Sequence, residues 1–420
     1  MAARRRGDPV ATRWTGPVTE SPIPLLEPRE GLPPVVTDGD GLADTVQAFG
    51  TATGPVAVDA ERASGYRYSH RAYLVQVRRA GAGTALIDPL ACPDLSTLGA
   101  ALSDTEWVLH AANQDLPCLA EVGMRPVRLF DTELAGRLLG YPRVGLAPLV
   151  ESVLGYALEK GHSAADWSSR PLPEPWLRYA ALDVELLVEL RHALDQQLRE
   201  TGKLGWAREE FEALAASQPP VPRSDPWRRT SGLHRVRDRR RLAAVRELWL
   251  ERDRVARRRD LSPGRVLPDA AIVEAALAMP KGSAELAMLP VFRGRAQRRE
   301  SDRWSRAIER ARVTADTDLP SLAARYDGPP PARSWASRDP EAAARLTAAR
   351  AVVAEIAEAR GLPVENLLAP ETLRRAAWTP PDPPTQDAVA AVFRDRGARD
   401  WQVRLTAGPV SEAFAAVPAT

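Results

Sequence analysis

The run Val56-Ala57-Val58-Asp59-Ala60-Glu61 constrains this chain more than any other stretch, because apolar residues that demand burial lead straight into two acids that resist it. In a β-strand successive side chains alternate faces, so Asp59 and Glu61 project from one side at the strand's C-terminal end. Two carboxylates held this close repel unless a proton or a cation neutralises them, and hard divalent cations take carboxylate oxygens. The segment is therefore either half of a metal site or an edge strand whose acids face water. The rest of the chain has to supply the other half.

At 420 residues the chain exceeds one ordinary domain, and its 44% hydrophobic content can build real cores. A formal net charge of +2 makes no demand for a nucleic-acid partner through bulk charge. Cys92 and Cys118 are too few for a disulfide framework and lack metal-ligand spacing, which suits a reducing cytoplasm. The basic start, Met1 to Arg6, is not followed by an apolar segment and so is not a secretory signal. No apolar run approaches the ~20 residues of a spanning helix. The expectation is a soluble, cytoplasmic protein.

Residues 1–34, rich in Pro, Arg and Gly without a period, predict a flexible leader ending at Pro33-Pro34. Val35-Val36-Thr37 predicts a short strand, and Asp40 stands where it could cap a helix through Leu42, Val46 and Phe49. After the opening strand, alternation over 71–77 and the runs Ala85-Leu86-Ile87 and Trp107-Val108-Leu109-His110 predict further strands. The last leads through Asn113 into a helical run from Leu116 to Val122. Strands thus come first as a meander, with helices on one or both faces. From Asp131 onward the pattern is helical, with Asp131 and Thr132 as a cap for Leu134, Leu138 and Leu139. Past Pro171, Pro173 and Pro175, one long amphipathic helix is predicted from about Trp176 to Arg199.

The segment from Ser217 to Pro226 breaks all periodicity and marks the main domain boundary, with a linker over 216–227. Beyond it the chain turns helical and basic, with Arg239, Arg240, Arg241 and Arg246 leading to Trp249 and Leu250. Such a face suits phosphate contact; it also fits a solvated helix face paired with Glu247, Glu251 and Asp253. Pro-rich breaks at 328–331 and 379–384 bracket another helical unit. Both C-terminal parts hold a long helix, a short loop and a second helix that starts near an acid, which predicts a duplicated module.

Three more residues complete a chemical set. Asp115 follows the His110 strand at the start of a helix, where an acid can reach a site on a neighbouring strand. Tyr179 and Asp183 stand four apart and share a helix face. Singly, Tyr179 fits an interfacial core tyrosine and Asp183 a surface acid. Together with Asp59 and Glu61 they supply what a cation site needs.

Asp59-x-Glu61, His110-x₄-Asp115 and Tyr179-x₃-Asp183 resemble the three exonuclease motifs of the DEDD superfamily in its tyrosine branch. With Asp166-Trp167-x₂-Arg170-Pro171-Leu172, the stretch 35–205 is similar to the ribonuclease D family. Segment 228–315 resembles the HRDC module, and 340–420 resembles a second, divergent copy. The resemblance implies an α/β, ribonuclease H-like exonuclease domain over 35–215, with a mixed sheet and flanking helices. All-α modules follow, separated by a linker over 316–339. It further implies a 3′–5′ exoribonuclease using two divalent ions, Mg²⁺ or Mn²⁺, about 4 Å apart. Asp59 would bridge the ions, Glu61 and Asp183 would each hold one, and Asp115 would act directly or through a water. Tyr179, with a free pKa of about 10, suits an orienter of the attacking water better than a base. Gln76, His110, Arg239 and Arg240 are the substrate-contact candidates. The implied partner is RNA with a free 3′ end, such as precursor tRNA. Pro280-Lys281-Gly282-Ser283 lacks the glycine framework of a phosphate loop, so no ATP is expected. The same motifs are compatible with single-stranded DNA as substrate. A binding scaffold with a vestigial site is the other alternative, and the complete acidic set argues against it.

Overall fold

The computed structural model describes residues 21–159, 161–162, 164–218, 224–294, 299–323 and 328–418. The first twenty residues of the expected leader and residues 219–223 of the expected linker lie outside the described residues. Eight strands are present among the described residues. β1 (Ile23–Leu25) pairs in parallel with β8 (Tyr156–Leu158) as a small separate sheet. The main sheet contains β2 (Val35–Val36), β3 (Val56–Arg62), β4 (Ala72–Arg79), β5 (Gly83–Ile87), β6 (Glu106–Leu109) and β7 (Arg128–Asp131). Its order is β2-β5-β4-β3-β6-β7.

β3, β4 and β5 form an antiparallel meander, whereas β2, β6 and β7 join in parallel, so the sheet is mixed. β3 is central, bonded to β4 on one side and β6 on the other. That placement removes the edge-strand reading of Asp59 and Glu61. Val56, Val58 and Ala60 pack into one apolar layer with Phe49, Leu98 and Leu102, while Ala57 meets Val184 and Leu187 on the opposite face.

Helices α1 (Gly39–Thr51), α2 (Ser96–Ala101), α3 (Leu116–Glu121), α4 (Thr132–Leu139) and α5 (Leu146–Leu154) follow the strands. The cap of α1 is Asp38, not Asp40: extended backbone lets the Asp38 carboxylate accept from Gly41 N at 2.8 Å. Asp40 sits in the first turn, where an acid complements the positive helix end. The single long helix expected after Pro175 is two, α6 (Glu174–Glu185) and α7 (Leu187–Glu200), parted by Leu186 at φ −109° and ψ 2°. The break lets α6 lie on β3, β4 and β5 while α7 turns to pack on α4 and α5. α8 (Leu204–Ala215) closes the domain. Within 21–34, expected to be loose, β1 is instead tied down, with Glu27 on Arg178 at 2.9 Å and Arg29 on Glu189.

The C-terminal half is helical. α9 (Arg239–Arg259) has 21 residues and is followed by short helix Pro263–Val266 and helix Asp269–Ala278 of 10. The same order recurs as Pro340–Arg360 of 21, Val364–Leu367 of 4 and Pro370–Trp378 of 9. Asp238 and Asp339 cap the two long helices in the same way, and both end on a left-handed residue, Asp260 and Gly361. The second unit begins before residue 340, because Trp335 is fully buried and its Nε1 donates to Pro330 O at 2.7 Å. No described helix is long and apolar enough to cross a membrane.

Both units dock on the N-terminal domain. The Asp260 carboxylate accepts from Tyr68 N at 3.1 Å and Ser69 N at 2.9 Å, in the loop that follows β3. Ser262 N and Arg265 Nε donate to Tyr66 O and Gly65 O of the same loop, each at 2.9 Å. In the second unit Trp401 stacks on Trp206 at 5.0 Å, and its two N–H groups donate to Glu209 and Glu210. Lys203 Nζ donates to Leu138 O at 2.7 Å and to Gly361 O at 3.3 Å, sewing α4 to the end of helix Pro340–Arg360. Gly140, at φ +83°, faces that same Gly361 carbonyl, and a Cβ there would collide with it. Gly140→Ala therefore carries both left-handed strain and an interdomain clash, and should cost on the order of 2 to 4 kcal/mol in urea unfolding.

Candidate active site

The site forms where β3 ends, α6 crosses the sheet and the chain turns after β6. Asp59 and Glu61 extend from the β3 face covered by α6, as strand alternation requires. Asp183 lies on α6, one turn beyond Tyr179. Carboxylate oxygens of Asp59, Glu61 and Asp183 all lie within 4.8 Å of one another. Asp115 stands outside that trio but within its electrostatic reach, at the start of α3. Its carboxylate pairs with Arg62 Nη2 at 3.5 Å, and Arg62 also donates to Gln114 at 3.4 Å.

All four carboxyls are pushed above the usual range. Burial is the largest cause in each case, and repulsion from neighbouring acids adds to it at Glu61, Asp183 and Asp115. Burial dominates at Asp59. At Glu61, the charges of Asp59, Asp183 and Asp115 add to burial. Asp183 is raised by burial and then by Asp59, against a hydrogen bond from Tyr179 that lowers it. Asp115 is pushed to about 8 by burial and Asp59, while Arg62 opposes. A hard divalent cation would relieve this repulsion directly, and an all-oxygen donor set fits such an ion. The arrangement thus points to divalent metal use.

Tyr179 donates its hydroxyl to Asp183, and burial with that acid pushes its own ionisation upward, so it stays a proton-bearing donor. Its ring is set by an aromatic wall. His162 meets it edge-on at 5.9 Å and Trp167 lies at 6.5 Å, backed by Trp176 at 5.5 Å from Trp167. His110 is half-buried, and the loss of solvent lowers its pKa to about 4 and keeps it neutral. Thr132 Oγ1 donates to Leu109 O at 3.2 Å, so the 2.9 Å contact with His110 is donated by Nδ1 of the imidazole.

The other substrate-contact candidates sit differently. Gln76 is the cross-strand partner of Asp59, and its side chain is fully buried in this structure rather than facing solvent. Arg239 and Arg240 lie in the first helical unit, and their guanidiniums bond carbonyls at the end of helix Ser301–Val313 and in the segment after it rather than standing free. Arg239 donates to Leu319 O at 2.8 Å, and Arg240 to Arg312 O at 2.6 Å and Thr314 O at 2.8 Å, with Asp316 as ion partner. An arginine run shows charge but not the carbonyls that consume it.

Two contributors escaped the sequence reading. Arg62 adjoins the acids in sequence, a signal that was available. Asp131 was legible only as a helix cap, but its carboxylate also accepts from Ala111 N at 3.1 Å and Ala112 N at 2.9 Å, in the turn before Asp115.

A model of a 3′-5′ exonuclease domain matches residues 33–199, an HRDC domain model matches 241–308, and a model of a 3′ to 5′ exonuclease C-terminal domain matches 328–414. The chain is 34% identical over 286 residues to ribonuclease D of Gluconacetobacter diazotrophicus, covering 66% of this chain and 71% of that one. A crystal structure of a protein from Bifidobacterium adolescentis superposes with a TM-score of 0.88 at 40% identity, over 94% of this chain and all of the other. Escherichia coli RNase D, described as an exoribonuclease involved in structured RNA processing, superposes with a TM-score of 0.67 at 26% identity, over 92% and 99% of the two chains. Four acids, two buried and two half-buried, and a tyrosine gathered on a mixed sheet, in a chain this similar along its length to such enzymes, place the protein in the ribonuclease D family of 3′–5′ exoribonucleases.

Proposed function

We propose that the chain trims structured RNA such as precursor tRNA from its 3′ end, releasing nucleoside 5′-monophosphates one at a time with Mg²⁺ as the preferred ion. The observation that carries this reading is the meeting of Asp59, Glu61 and Asp183 oxygens within 4.8 Å beside a Tyr179 hydroxyl. Asp59, Glu61 and Asp183 would hold the cations, with Asp115 completing the set across the cleft. Divalent ions bound there supply an activated water and relieve charge on the leaving oxygen. Tyr179 keeps its proton and, anchored on Asp183, orients the water through its oxygen. Arg62 holds Asp115 in place while the site is formed.

The helical halves support a division of labour. Matching helix lengths, caps and left-handed ends in 239–278 and 340–378 favour two copies of one module. The first touches the loop beside the active site and the second shares a core with α7 and α8, so both would grip the RNA body near the cleft.

A 3′-labelled structured RNA with Mg²⁺ tests the reading. Asp59→Ala should lose about a thousandfold in mononucleotide release, the loss of several kcal/mol of charge stabilisation. Unchanged release would overturn the assignment. Tyr179→Phe should fall about a hundredfold in kcat with Mg²⁺ affinity retained, since the ring stays and only the orienting hydroxyl goes. Equal rates on matched single-stranded DNA would remove the RNA preference.

The raised carboxyls give a pH signature. Asp115 is raised from the ordinary carboxyl range to about 8, so its protonated form favours the fold. That contribution is complete below the unfolded pKa of about 3.9 and is lost as pH rises through about 8. Ions that replace the proton restore it. The gain in melting temperature on adding Mg²⁺ should therefore grow from pH 5.5 to pH 8.5, and an equal gain at both would contradict cation binding by these acids.

A further inference from the structure

Asp131 is a buried acid that the proposed chemistry leaves unused, and its hydrogen bonds lead to the turn that presents Asp115. It ends β7, opposite Leu109 of β6, and is only 3% exposed. Oδ1 accepts from Glu133 N at 2.9 Å and Leu134 N at 3.1 Å, which caps α4. The same Oδ1 accepts from Ala111 N at 3.1 Å, and Oδ2 accepts from Ala112 N at 2.9 Å. One carboxylate thus joins two segments that leave adjacent strands.

The turn it holds is not one the local sequence favours. Ala111 is left-handed at φ 56° and ψ 50°, a conformation that a residue with a Cβ disfavours and that nothing in Ala offsets. Directly after it, Ala112–Gln114 form a 3₁₀ turn, Asp115 N donates to Ala112 O at 3.1 Å, and α3 begins. The bonds to Asp131 therefore fix the first two amides of the turn that sets where Asp115 stands. Thr132 adds a second tie by bonding both His110 and Leu109.

We infer that Asp131 is the positioning residue for Asp115, fixing through the Ala111 and Ala112 amides the turn that carries this acid to the cation site. The inference rests on the reading of Asp115 as a cation ligand. Partners one shell out from a metal typically change its affinity 10- to 100-fold when removed. Helix capping alone is a separate role and can be kept while the positioning role is removed. Serine is a good N-cap, but its hydroxyl is too short to bridge to Ala111 and Ala112 as well.

The test uses the full chain without RNA. Asp131→Ser should stay folded by circular dichroism, bind Mg²⁺ about tenfold more weakly by titration calorimetry, and exchange the Asp115 amide faster in the metal-free protein. Adding Ala111→Gly, which makes the left-handed turn cheap, should restore part of the affinity. Asp131→Asn keeps the reach but replaces an acceptor with a donor facing Ala112 N, and should weaken Mg²⁺ binding likewise. Unchanged affinity in both variants, or a loss that Ala111→Gly leaves untouched, overturns the inference. Asp115→Asn is the control: if it binds Mg²⁺ as the wild type does, the ligand assignment of Asp115 fails and the inference fails with it.

Discussion

Glu61 is repelled by Asp59, Asp183 and Asp115 at once, and burial sharpens each repulsion. Charges this close in a low dielectric would, left to relax, push the backbone apart or take up protons. The surrounding structure denies the first escape. Asp59 and Glu61 belong to a strand hydrogen-bonded on both edges and packed on both faces, and Asp183 belongs to a helix pressed on that strand. The fold therefore holds the acids in a cluster whose mutual repulsion a divalent cation would relieve.

Around this centre the supporting contacts are local in space and remote in sequence. Arg62 anchors Asp115 across 53 positions, and Asp131 holds the turn before it from the next strand. The break at Leu186 has the same logic. It lets one amphipathic stripe serve two surfaces, with α6 carrying Tyr179 and Asp183 over the sheet and α7 joining the helical core.

What could be read in the residues follows from how far each signal reaches. Alternation put Asp59 and Glu61 on one face, and helical spacing put Tyr179 and Asp183 on another, because both depend only on nearest neighbours. The recurring order and lengths of the C-terminal helices depend on local pattern in the same way. β1 and β8, of three residues each, and β7, of four, are too short to show a period, and each takes its pairing from a distant partner. Gln76 gives no local sign of its burial. Arg239 and Arg240 looked free because the carbonyls they satisfy lie more than 70 residues away. The left-handed turn at Ala111 was invisible, since no glycine or asparagine marks it.

The loop after β3 leaves directly from the strand that carries Glu61, and two of its amides and two of its carbonyls are satisfied by residues 260–265. Its shape is therefore written partly in a segment some 190 positions downstream. Catalytic domain and helical module therefore share this seam: an insertion in the loop, or a change at Asp260, would leave polar groups unpaired on the other side of it. A boundary that looks in the sequence like a hinge between separable parts is, at this point, a single inherited unit.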